Sequence, residues 1–221
     1  MKAERIPEAT VTRLSVYSRH LQQLENNGIA RVSSQEIAEL VDGSSAQVRK
    51  DLAYFGEFGT RGVGYDVRLL NRNLMKILGL EKGRTAIIVG AGRLGKALTL
   101  YNGFEQRGFN IMGIFDKDMS KVGGQVGKLT VSPMYKLDEF VKSNNIQIGV
   151  ITVPGFAAQE TVDMLTRAGV KAVLNFAPVS VVVPPDIRCR NVDLAVNMEV
   201  LSFYMGIEES KEAKKSGAKK N

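Results

Sequence analysis

Gly90, Gly92 and Gly95 follow the run "TAIIVG" with the spacing G-x-G-x-x-G. Gly90 permits a tight turn, Gly92 lets backbone approach a pyrophosphate, and Gly95 lets a helix pack closely on the strand before it. The N-terminus of that helix offers free N–H groups and a partial positive charge to phosphate oxygens. Arg93 and Lys96 add charge nearby. The turn Gly90, Ala91, Gly92, Arg93, Leu94, Gly95, Lys96 is therefore a candidate nucleotide cradle. Asp116 ends the next apolar run, 21 residues after Gly95. A carboxylate there accepts from both ribose hydroxyls and repels a 2′-phosphate, which favours NAD(H) over NADP(H). Related glycine turns also hold coenzyme A, and that ligand stays open. Two later strand ends, Thr152-Val153-Pro154-Gly155 and Asn175-Phe176-Ala177-Pro178, join a small polar residue to a proline turn. They either line the nicotinamide side of such a site or are ordinary loop punctuation.

A second chemistry lies upstream. Over residues 45–55, Val48, Leu52 and Phe55 share one helical face and point to a core. The opposite arc shows Ala46, Gln47, Arg49, Lys50 and Tyr54, with Ser45 at its start. Arg pairs bidentately with guanine, Gln with adenine, and Lys or Tyr contacts phosphate. The same arc also describes a merely solvated face. A helix capped by Ser33, with Glu36 at capping-box spacing and reaching Val41, precedes it, and Ser44 with Gln47 repeats that spacing. The three-residue break between them is helix-turn-helix spacing, within Tyr17 to Gly56. "GTRGVGYDV" then predicts a hairpin usable as a wing, bringing Arg61 and Gly62 toward a minor groove or phosphates.

The elements that must position these groups fall into two patterns. Residues 8–80 read as helical. The first helix places Val11, Leu14, Leu21 and Leu24 at helical spacing and stops at Gly28. From residue 84, apolar strands at 85–90, 110–116, 148–154 and 171–178 alternate with helices at 93–107, about 136–143 and 156–168. That alternation predicts a parallel sheet with right-handed crossovers. The domain boundary is expected near 79–84, giving domains 1–80 and 81–207 and a basic, disordered tail over 208–221.

Composition narrows the function classes. The 221 residues carry a net charge of +7, spread as +2 over 1–80, +3 over 81–204 and +2 over 205–221, so bulk charge marks out no binding domain. One cysteine, Cys189, excludes an internal disulfide framework and suits a reducing cytoplasm. No membrane span, signal peptide or metal site is indicated. Hydride transfer to a carbonyl usually needs a positioned acid or base. The single histidine, His20, sits on the first helix, and no Tyr-x-x-x-Lys pair follows a suitable strand.

The stretches "RVSSQEIAELV", "QVRKDLAYFGEFGTRGVGYDV", "IIVGAGRLGKAL", "ITVP", "NFAPV" and "NVDLAV" together resemble the Rex family of redox-sensing transcriptional repressors over nearly the whole chain except the tail. The resemblance implies a homodimer with an N-terminal winged helix-turn-helix domain and a C-terminal Rossmann-type parallel-sheet domain. It implies a C-terminal helix, roughly 196–206, exchanged between partners. It further implies that palindromic operator DNA is released when NADH binds, with NAD(H) a sensed ligand rather than a reactant. Tyr101 matches a family tyrosine near the nicotinamide. Arg19 and Asp193 match a family ion pair that links the two domains. Leu194 stands where some relatives carry phenylalanine. The competing class is a small NAD-dependent oxidoreductase, or a coenzyme A-binding protein, with a helical cap.

Overall fold

The computed structural model describes residues 6–60 and 62–218, with side chains described to residue 211. The chain divides into two compact units, Met1–Gly83 and Arg84–Asn221.

In the first unit, α1 (Glu8–Asn26) is followed by β1 (Arg31–Val32), α2 (Ser34–Glu39), α3 (Ser45–Ala53), β2 (Tyr65–Asp66) and α4 (Val67–Ile77). Leu14, Tyr17, Leu21, Ile37, Val48, Leu52, Leu70 and Leu74 close one core. Val11 was expected on the apolar face of α1 but is exposed, and Thr10 is buried in its place. The reason is a hydrogen bond: the Thr10 hydroxyl donates to buried Asp51 on α3 at 3.2 Å. At α2 the capping box is complete. Ser33 Oγ accepts from Glu36 N–H at 3.1 Å, and Ser33 N–H donates to Glu36 Oε2 at 2.7 Å. At α3 only half of it forms. Ser44 Oγ accepts from Gln47 N–H at 3.2 Å, but the Gln47 amide turns away to Asp51.

The expected wing hairpin is closed by one bridge, Thr60 to Gly64. Its return strand, β2, pairs antiparallel with β1, which holds the glycine-rich segment against the helical core.

The second unit runs β3 (Arg84–Val89), α5 (Arg93–Thr99), α6 (Asn102–Glu105), β4 (Phe109–Asp116), β5 (Gln125–Val126), β6 (Leu129–Pro133), α7 (Leu137–Ser143), β7 (Ile148–Ile151), α8 (Ala158–Ala168), β8 (Ala172–Asn175), β9 (Arg188–Asn191) and α9 (Leu194–Ala218). The sheet order is β5-β6-β4-β3-β7-β8-β9, parallel throughout except for β5. Among its parallel strands this is the 3-2-1-4-5-6 order of the doubly wound dinucleotide fold, which reverses direction at β3. Ile87 and Val89 face a core shared with Leu137, Val141, Val162 and Leu165. Ile88 faces the other way, with Ile114, Val131 and Val150. Burial on both faces explains the unbroken apolar run in β3.

Two expectations are corrected here, and two elements are new. The helix expected over 93–107 breaks at Leu100–Tyr101, because Tyr101 takes an extended backbone and its ring folds onto the bare backbone of Gly103. The β5–β6 hairpin and edge strand β9 had no expected counterpart. The tail expected to be disordered from 208 continues α9 to Ala218. Its scarcity of apolar residues argues against burial, while its Glu, Lys and Ala residues are good helix formers.

Candidate nucleotide cleft and nucleic-acid interface

The cleft lies past the carboxyl ends of β3, β4, β7 and β8, at the switch in strand order, and encloses about 640 Å³. Gly90 has φ +108°, and a Cβ there would stand 2.7 Å from the Thr152 carbonyl oxygen. A Cβ on Gly95 would overlap the Gly90 carbonyl oxygen. Thr152 Oγ1 lies 2.8 Å from that same carbonyl and donates to it, so the end of β7 braces the turn. At Gly92 the backbone is extended and a Cβ would meet no protein atom within 4 Å. Main chain is therefore bare to the cleft at Gly92.

Asp116 ends β4 and is buried. Its Oδ2 accepts from Ala91 N–H at 2.7 Å and from Lys121 Nζ at 3.1 Å, and its Oδ1 accepts from Asp118 N–H at 2.8 Å. Burial opposes its charge, yet the Asp118 and Ala91 amides and the Lys121 ammonium hold it below the usual carboxylate range. Oδ1 keeps room for a further donor. The carboxylate thus fixes the glycine turn and still has capacity for a hydroxyl.

Of the residues expected at this site, Gly90, Gly92, Leu94, Asp116, Thr152, Val153, Pro154 and Phe176 line the cleft. Ala91 and Gly95 are buried behind it, whereas Arg93 and Lys96 are exposed and outside the lining. The lining cations are instead Lys117 and Lys121, which strand periodicity did not mark because they follow β4 in a loop. Asn175 is fully buried and does not line the cleft. Its Nδ2 donates to Val179 O at 2.8 Å and to Asn191 Oδ1 at 2.9 Å, and its Oδ1 accepts from Ala177 N–H at 2.9 Å. It builds the turn that carries Phe176. Ala177 is buried and Pro178 exposed, both outside the lining. Asp118, Met134, Glu160 and Met164 line the cleft unforeseen.

On α3, Ala46, Arg49, Lys50 and Tyr54 are exposed and Ser45 is half-buried. Arg49 Nη1 donates to Ser34 Oγ at 2.9 Å, tying α3 to the start of α2. Gln47 Nε2 donates to Asp51 Oδ1 at 2.8 Å. Asp51 also accepts from Arg13 Nε at 2.6 Å, Arg13 Nη2 at 2.7 Å and Tyr17 OH at 2.9 Å. Burial opposes ionisation of Asp51, but the hydrogen bonds from Arg13, Tyr17 and Gln47 prevail and keep it below the ordinary range. This network fixes α3 on α1, and the sequence reading missed it. In the wing Gly62 is exposed with φ +81°, and Arg61 lies outside the described residues.

Residues 5–53 match the family described as "Putative DNA-binding protein N-terminus". Residues 81–179 match the family described as "CoA binding domain". The redox-sensing transcriptional repressor Rex of Desulfitobacterium hafniense is 57% identical over 206 residues, covering 93% of this chain and 98% of that protein. This chain belongs to the Rex family. The Rex of Desulforamulus reducens is 53% identical, covering 95% of this chain and 100% of that protein. The crystal structure of the Rex-family repressor RSP in complex with NAD+ and operator DNA superposes with a TM-score of 0.88 at 39% identity, covering 96% of this chain and 98% of that one. RSP in complex with NADH gives 0.85 at 38% identity, covering 94% and 98%.

The residues carried over from the Rex resemblance are placed as follows. Tyr101 is 56% exposed, meets Phe104 edge-on at 5.2 Å, and lines a separate hollow with Leu100, Val126 and Leu129. It is not in the lining of the glycine-turn cleft. Arg19 is exposed on α1. Asp193 is exposed, and its Oδ1 accepts from Ala195 N–H at 2.9 Å at the start of α9. Among the described residues, no group of three His, Cys, Asp or Glu is arranged to hold a metal ion, and no helix is long and apolar enough to cross a membrane.

Proposed function

We propose that this chain, as a homodimer, binds palindromic operator DNA through α3 and the wing and leaves it when NADH enters the cleft. The observation that carries this reading is that one chain holds both a glycine-turn cleft and a helix-turn-helix face with exposed basic side chains. Gly90, Gly92 and Gly95 would admit the pyrophosphate, and Asp116 the ribose. Arg49 would read base edges, with Lys50 and Tyr54 on phosphates. That the relatives are named as redox-sensing transcriptional repressors supports a sensed rather than a reacted cofactor. The protein would act in the cytoplasm, as a regulator and not an enzyme.

Redox selectivity follows from charge. The oxidised nicotinamide is a cation and the reduced one neutral, so a dry pocket favours NADH because burying the cation costs desolvation. Exposed Leu194, Val196, Leu201, Phe203 and Ile207 give α9 the apolar surface a partner chain would cover. On this reading Tyr101, Arg19 and Asp193 act only once that partner and NADH are present. A coupling of ~1–3 kcal/mol would weaken operator binding ~5–150-fold, and operator DNA would weaken NADH binding by the same factor. Fluorescence anisotropy of an operator-like duplex, titrated with protein at several NADH/NAD+ ratios, tests this. Undiminished binding at saturating NADH would refute it.

A further inference from the structure

Phe156 is 83% exposed, although it follows Gly155 directly and stands between the cleft-lining Pro154 and Ala157. Its ring is engaged. The Lys117 ammonium sits 5.2 Å from the ring centroid, and Lys117 is itself a cleft-lining residue, next to Asp116. Lys117 follows β4 and Phe156 follows β7, and these two strands flank β3 in the sheet. Their contact therefore crosses above the end of β3, over the mouth of the cleft.

We propose that Phe156 is the stacking platform for the purine ring of the dinucleotide, and that Lys117 occupies that platform in the free chain. This rests on the reading that the cleft binds NAD(H). On that reading Asp116 receives the ribose, and the purine is one glycosidic bond away, which keeps it close to Lys117 and Phe156. An aromatic face attracts a cation or stacks a base. A purine covers far more of the ring than an ammonium does, so the exchange buries apolar area that Phe156 now exposes. The purine is common to NAD+ and NADH. The platform therefore sets affinity for both and leaves their ratio untouched.

Calorimetric titration of the full chain with NADH, NAD+ and ADP-ribose tests the assignment. Phe156→Ala is expected to weaken all three by about tenfold or more, with the NADH:NAD+ preference unchanged. The unliganded protein should keep its melting temperature, since the ring is solvent-facing. Phe156→Tyr should restore affinity. Unchanged ADP-ribose affinity in Phe156→Ala would overturn the proposal. So would a fall in melting temperature that accompanies the loss, which would make Phe156 a structural support. If the wild-type chain binds neither NADH nor ADP-ribose, the parent reading falls as well. If it binds both but the alanine variant is unaffected, only the platform falls.

Discussion

Asp51→Asn replaces a buried carboxylate oxygen with an NH2 group while keeping the side chain's shape. In the native unit Asp51 accepts from Thr10, Arg13, Tyr17 and Gln47, and it is fully buried. The amide faces donors with a donor, and Arg13 loses its counter-charge. Removing one partner of a buried ion pair costs ~3–5 kcal/mol. The Arg13 side chain keeps 32% of its exposure, so water compensates part of the loss and the lower end, ~3 kcal/mol, applies. A domain of this size has a total stability of ~4–12 kcal/mol, so the α1–α3 contact should open well before the rest. Amide hydrogen exchange of the full chain, read by mass spectrometry, should show α1 and α3 exchanging roughly 100-fold faster, with β3 and β7 unchanged. Operator affinity should fall with it, because a recognition helix that drifts loses its base contacts. The acid side supplies a sign check. Asp51 is held below its ordinary value near ~3.9, so its contribution is present above that pH and is lost as pH falls through the folded value. The gap between wild type and variant should narrow below about pH 4. Native protection of α3 in the variant, or equal acceleration in both units, would refute the reasoning.

Gly95→Ala forces a methyl onto the Gly90 carbonyl, so the turn must open. NADH affinity by calorimetry should drop at least about tenfold, and an unchanged affinity would remove Gly95 from the cradle. Asn175→Ala strands the Val179 carbonyl and the Ala177 amide, which should cost ~1–3 kcal/mol and appear as a lower melting temperature of the sheet unit. Lys50→Ala should reduce the slope of log affinity against log salt by ~0.9 without changing operator preference, whereas Arg49→Ala should relax preference at one base position. Competition binding against shuffled duplexes separates the two.

The local sequence determined a good deal. "TAIIVG" followed by glycines at 90, 92 and 95, and then Asp116, specifies strand, turn and helix through φ, bulk and close approach, all properties of near neighbours. The alternation of Val48 and Leu52 with Arg49 and Lys50 specifies which face of α3 meets water. The β5–β6 hairpin went unread, because its first strand is only two residues long and leaves no alternation to mark it. Strand β9 went unread as well, because an edge strand that reads Arg-Cys-Arg-Asn has no apolar run to mark it.

What stands opposite a residue was decided only by the tertiary structure. Periodicity assigns a direction to Gln47, but that its amide ends on Asp51, and that Asp51 draws Arg13 from 38 positions away, depends on how α1 crosses α3. The same holds for Asn175, whose strand-end position reads as a ligand contact until Val179 and Asn191 are found around it. Tyr101 likewise reads as a residue of the glycine-turn helix until the chain breaks at Leu100. Backbone preferences are local and written in sequence order. Hydrogen-bond partners across a core exist only once the elements have been brought together.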